Sequence, residues 1–127
     1  LLKRVLYARL LDHLKKNRNR RGVRLLRLRG AGSEDERCAR HFGYTVSELI
    51  AHMERLFTEG MNWDRVLAGD VQIDHVIPTR IFNLAAPDGV KRAYALSNTQ
   101  PLWRGENARK SQLADKSWDE LFGAGSL

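Results

Sequence analysis

The sequence predicts an α+β fold on three observations. Apolar residues recur at helical spacing in the first half, capping-box pairs precede two short helical patterns, and the last third holds a β-branched run followed by a second extended segment. With 127 residues and 43% apolar composition, the chain suits one small domain with a modest core. The first helix is expected over Leu1 to Leu14, where Leu2, Leu6, Leu10 and Leu14 form a stripe widened by Leu1, Val5 and Leu11. That face needs a partner, either the core or a second copy of the chain. The arginine-rich stretch after it alternates weakly over Val23 to Arg29, so strand, helix and induced order all stay open there.

Ser33 followed by Glu36 predicts a helix from Glu34 to Phe42, stopped by Gly43. Thr45 with Glu48 repeats the pattern, and Val46, Leu49, Ile50, Met53, Leu56 and Phe57 then share one helical face up to Gly60. Met61-Asn62-Trp63 begins an irregular connection. Val71 to Ile77 is short and β-branched and reads as a strand closed by Pro78. Thr79 to Ser97 is expected to be a long excursion with a turn at Pro87-Asp88-Gly89. A second strand follows through Thr99 to Trp103, and Gly105-Glu106-Asn107 leads into a helix through about Leu113.

Composition narrows the function classes. No apolar run approaches the roughly 18 to 20 residues that span a bilayer, so a soluble protein is expected. A single cysteine, Cys38, excludes an internal disulfide and a zinc site of four cysteines or paired cysteines and histidines. It reads as a small buried apolar residue, and its solitude suggests a reducing, cytoplasmic compartment. The first residue, Leu1, predicts that the chain is part of a longer protein, and Gly123 to Leu127 reads as a linker. The net charge of +7 is unevenly spread: residues 1–30 hold 11 basic residues and one acid, and residues 31–127 hold 11 basic residues and 14 acids. The excess therefore belongs to the N-terminal quarter, above all Lys15, Lys16, Arg18, Arg20, Arg21 and Arg24, which suits a polyanion such as DNA bound through its phosphates.

Within 34 residues the chain offers Asp74, His75, Asn98 and Asn107. On a regular strand, Asp74 and His75 point to opposite faces, so they can serve one site only where the strand end twists or bends. An amide oxygen from Asn107 and the Asp74 carboxylate are hard donors that suit magnesium or manganese better than zinc.

Ile73-Asp74-His75-Val76-Ile77-Pro78, Asn98-Thr99-Gln100-Pro101-Leu102-Trp103 and Glu106-Asn107-Ala108-Arg109-Lys110 resemble the HNH endonuclease motif of small bacterial and phage proteins. The similarity runs upstream through Gly43-Tyr44-Thr45 and Phe57 to Trp63, covering roughly residues 43–112. The resemblance implies a ββα-metal (His-Me finger) hairpin-helix over about residues 70–114. Around it lie a nuclease core at 43–122, a basic and mainly helical lead-in at 1–42, and a tail at 123–127. It implies a phosphodiester hydrolase acting on DNA in a bacterial or phage-infected cell, leaving 5′-phosphate and 3′-hydroxyl ends.

By the same resemblance, Asp74 and Asn107 hold a single Mg2+, for which Mn2+ substitutes. His75 is the general base, and Asn98 tethers the loop that carries it. Asn107 stands where the family's last histidine usually is, a variant similar to the HNH domain of RNA-guided CRISPR nucleases. Apart from the resemblance, Arg104, Arg109 and Lys110 sit where phosphate contacts would position the strand, and each reads equally as a surface charge. The competing expectation is a binding-only module on an HNH scaffold in a phage packaging or defence assembly. His13, His41 and His52 lack comparable neighbours and read as surface or structural histidines, and Trp63, Trp103 and Trp118 as packing residues.

Overall fold

The computed structural model describes residues 1–17 and 32–122. Arg18, Arg20, Arg21 and Arg24, the stretch Val23 to Arg29 and the tail from Gly123 lie outside the described residues. Six α-helices and one antiparallel pair of strands make up the described part, an α+β arrangement. In chain order these are α1 (Leu2–Asn17), α2 (Glu34–Phe42), α3 (Val46–Leu56), α4 (Trp63–Ala68), β1 (Val71–His75), α5 (Pro87–Ala93), β2 (Thr99–Trp103) and α6 (Arg104–Phe122). Single turns of 3-10 helix at Thr79–Ile81 and Leu96–Asn98 flank α5.

Local chemistry explains the first three helices. Leu6, Leu10, Leu11 and Leu14 of α1 are buried, so the leucine stripe faces the core, whereas Leu1 is 89% exposed. Ser33 and Thr45 each close a capping box with the glutamate three residues on. Gly43 ends α2 in the left-handed region, at φ 88°, where a side chain is disfavoured. On α3, Val46, Leu49 and Met53 are buried and Ile50 packs against the core, but Leu56 is 41% exposed. That helix stops at Leu56, four residues before Gly60, because the chain turns out at Phe57 and packs its ring edge-on against Trp63.

Two segments differ from the sequence expectation. The connection after Met61 contains α4, which Asn62 starts by accepting the Arg65 N–H at 2.9 Å. The excursion after Pro78 contains α5, with Pro87 at its first turn, a position that proline's fixed φ suits. Gly89 belongs to that helix and not to a turn. A Cβ there would collide with the carbonyl of Asn83, so only glycine lets the chain fold back so closely. Strand β1 ends at His75, and Val76 and Ile77 already belong to the loop. Helix α6 begins at Arg104 and runs past Leu113 to Phe122.

Strands β1 and β2 pair from Val71 opposite Trp103 to His75 opposite Thr99. An isolated two-stranded sheet is marginal in water, and this one is supported by α4 and α6 against β1 and by α3 and α6 against β2. Helix α1 packs on α2 and α3, and its leucines belong to the same buried cluster as Phe42, Leu49, Val71 and Tyr94. Two polar ties fix its direction. Lys3 pairs with Asp35 at 2.8 Å while Ser47 donates to the same carboxylate, and these contacts hold the Asp35 carboxyl down at about 2. Arg9 donates to the carbonyls of Val66 and Leu67 at the end of α4. Thr45→Ala removes the side-chain oxygen that accepts the Glu48 N–H but keeps the backbone N–H that holds the Glu48 carboxylate, and is expected to lower stability by about 1 kcal/mol with an unchanged denaturant slope in urea unfolding.

Candidate active site

A cleft of about 690 Å³ opens between α1, β1 and the start of α6. Asp74, His75, Asn107 and Lys110 all line it. Asp74 is 5% exposed and His75 7%, so both lie deep in its floor. Their contacts run in different directions, as side chains of successive strand residues do. Asp74 is approached by Gln100, its partner across the sheet, whose Nε2 donates to Oδ2 at 2.9 Å. It is also approached from α6 by Lys110, whose Nζ lies 3.0 Å from Oδ2 and 3.2 Å from Oδ1. The same ammonium donates to the carbonyls of His75 at 3.0 Å and Val76 at 3.3 Å. Lys110 thus closes the end of β1 and supplies the charge that makes a buried carboxylate tolerable.

His75 turns toward α1 and α5. Its ring stacks on His13 with centroids 4.6 Å apart and 29° between planes, and Tyr94 meets it edge-on at 4.6 Å and 75°. The hydroxyl of Tyr94 lies 2.7 Å from His13 Nδ1. Burial pushes the His75 imidazole down to about 3, with His13 and Lys110 adding to the effect, so the ring is neutral at physiological pH. His13 is lowered too, first by burial and then by Lys16, whereas Asp74 opposes. Nε2 of His75 is buried and has no hydrogen-bond partner among the described residues.

Asn98 stands behind the cleft and ties its loop together. Its Oδ1 accepts the Ile77 N–H at 2.8 Å, and its Nδ2 donates to the carbonyls of Ile77 at 3.1 Å and Ala93 at 2.8 Å. Its backbone carbonyl accepts the Val76 N–H at 2.9 Å. Asn107, on the first turn of α6, donates through Nδ2 to Gln72 Oε1 at 2.8 Å, which leaves its amide oxygen for another partner.

The basic residues separate into groups. Lys16 and Lys110 line the cleft, and Lys15 is exposed on the same turn of α1. Arg104 lines a second cavity of about 270 Å³ with Arg65, Asp70 and Trp103, and Arg109 is exposed on α6. His52 is structural, with Nε2 donating to the Thr99 carbonyl at 2.8 Å, and His41 is buried. Trp63 and Trp103 pack against the core, and Cys38 is buried, its thiol pushed up to about 12.

The residue that sequence reasoning missed is His13. Its only local signal is a polar stripe at positions 9, 12, 13 and 16, the helical spacing of one face, and that face lines the cleft.

Among the described residues, no three His, Cys, Asp or Glu side chains converge as metal ligands. The donors present are the Asp74 carboxylate and the Asn107 amide oxygen, both hard, which suit Mg2+ or Mn2+ with its other positions filled by water and phosphate. A metal ion held by Asp74 would have to displace Lys110 from it. Compared with protein-family models, curated proteins and solved structures, the chain matches none of them.

Two outcomes are expected. Asn98→Ala strands the Ile77 N–H and the Ala93 carbonyl, and is expected to cost about 2 to 4 kcal/mol in urea unfolding. Because the folded His75 pKa of about 3 lies below the unfolded value of about 6.5, the unfolded chain takes up the proton first on acidification. Stability should hold above about pH 6.5 and fall below it, at a slope approaching about 1.4 kcal/mol per pH unit for this proton, with His13 steepening it. His75→Gln should flatten that decline in unfolding curves taken between pH 7.5 and 4.5.

Proposed function

We propose that the chain is a divalent-metal-dependent DNA endonuclease of the HNH type. One arrangement carries the reading. Asp74 and His75 end a strand paired antiparallel with β2, Asn98 ties the intervening loop, and the helix directly after β2 brings Asn107 and Lys110 to the same cleft. This strand, loop, strand and helix order supports the ββα-metal assignment.

In this reading Asp74 and Asn107 would hold one Mg2+ ion, with Mn2+ able to replace it. When bound, the ion supplies positive charge that offsets the charge gathering on the scissile phosphate. His75 is neutral and therefore free to accept a proton from the attacking water. The water oxygen bonds to phosphorus as the bond to the 3′ oxygen breaks, and that oxygen takes a proton from solvent, leaving a 5′-phosphate and a 3′-hydroxyl. Burial also makes His75 a weak base, so polar groups of the bound strand must enter the cleft before proton transfer is favourable. Asn98 fixes the loop that aims the imidazole. Lys16 on the cleft wall, and the basic run from Lys15 to Arg24 that continues α1 in sequence, bind backbone phosphates and set the strand's position without reading bases. Lys110, now paired with Asp74, would be free to meet phosphate if Asp74 held a cation.

A second reading is favoured by a specific observation. Lys110 already neutralises Asp74, and His13 covers His75, an arrangement that suits a nucleic-acid-binding module without turnover.

Supercoiled plasmid separates the two. Wild type is expected to nick it with Mg2+ or Mn2+ and to stop with excess chelator. His75→Ala should lose at least about a hundredfold in rate while retaining salt-sensitive plasmid binding. Binding by both proteins with cleavage by neither, under any of these metals, would select the binding module.

A further inference from the structure

We propose that His13 is a positioning residue for His75, an assignment that rests on the nuclease reading. Three rings make a closed set. His13 stacks on one face of the His75 imidazole, Tyr94 meets it edge-on, and the Tyr94 hydroxyl lies 2.7 Å from His13 Nδ1. The two rings that hold His75 are therefore held to each other. Tilting the His75 ring out of its plane would break both contacts.

A carboxylate or carbonyl on one nitrogen usually sets the tautomer and direction of a catalytic imidazole; the clamp does part of that work by fixing the plane of the ring. Here Nε2 has no hydrogen-bond partner among the described residues. On that side of the ring, packing holds the imidazole in place. His13 in turn has a fixed seat. Leu10 and Leu14 on either side of it in α1 are buried, and Arg9 one turn earlier is tied to the end of α4, which leads directly into β1. Tyr94, at the end of α5, is fully buried in the same core cluster. The N-terminal helix is thus part of the active site, and its polar stripe forms one wall of the cleft.

The test combines cleavage of a labelled DNA duplex in Mn2+ with the His75 ring signals in proton–carbon NMR, on wild type, His13→Ala, His13→Phe and Tyr94→Phe. A misaimed base is expected to lower kcat by about tenfold or more in His13→Ala with KM within about twofold. His13→Phe, which restores a stacking ring, should recover the rate to within about threefold of wild type. Tyr94→Phe keeps all three rings and removes only the bridge to His13, and should lower kcat severalfold, which keeps the proposal testable if His13→Ala does not fold. The His75 ring proton signals should move in His13→Ala, through loss of the neighbouring ring current, and return toward their wild-type positions in His13→Phe.

A folded His13→Ala protein with wild-type kcat and unmoved His75 signals would overturn the assignment. So would equal losses in His13→Ala and His13→Phe, because a ring would then not suffice. If wild type cuts no DNA, the nuclease reading fails and with it the catalytic role. The NMR arm then still reports the stacking itself: signals that move in His13→Ala and return in His13→Phe support the clamp, and unmoved ones refute it.

Discussion

The side chain and backbone of Asn98 are the constraint on which the rest of the site depends. One residue joins the loop after β1, the end of α5 and the start of β2. Its amide satisfies both backbone groups of Ile77, at a point where the chain has left the sheet and has no ladder to pair with. Without that tie, the end of β1 would be free to fray and the His75 ring would lose its fixed approach to Tyr94. Asparagine suits the position because it offers an acceptor and two donors on a short stem. An aspartate would accept the Ile77 N–H but present only lone pairs to the carbonyls of Ile77 and Ala93.

Charge and aromatic packing divide the labour on the two sides of β1. On the Asp74 side, Lys110 and Gln100 hold a buried carboxylate in place, and the lysine also gathers two carbonyls from the strand end. Burying a carboxylate beside an ammonium stabilises little in net terms, because desolvation offsets attraction, but it fixes geometry. On the His75 side the imidazole's Nε2 has no hydrogen-bond partner among the described residues, and burial keeps the ring neutral. The site thus sets a carboxylate held by Lys110 and Gln100 next to a neutral imidazole held by aromatic packing.

The parts of the fold legible in sequence were those written locally. Ser33 with Glu36 and Thr45 with Glu48 are complete signals within four residues, and both helices start where those pairs put them. Thr99 to Trp103 was legible as a strand for a similar reason. Pro87-Asp88-Gly89 misled because each residue disfavours a helix interior. Here Pro87 sits in the first turn and Gly89 is demanded by Asn83, a contact the chain makes only when folded. The helix at Trp63 to Ala68 is too short for periodicity to register, although Asn62 and Gly69 mark its ends.

Of the candidate site, the motif positions Asp74, His75 and Asn107 were legible as a cluster because β1 and α6 are joined through β2. His13 was not, because 61 residues separate it from His75 and its position depends on the packing of α1. The central claim is that the cleft floor holds one divalent cation through Asp74. The most direct measurement is electron paramagnetic resonance of Mn2+ titrated into wild type and Asp74→Ala at matched concentrations. One bound ion per chain in wild type, lost in the variant, is the predicted result; equal binding by both proteins, or none by either, would contradict it.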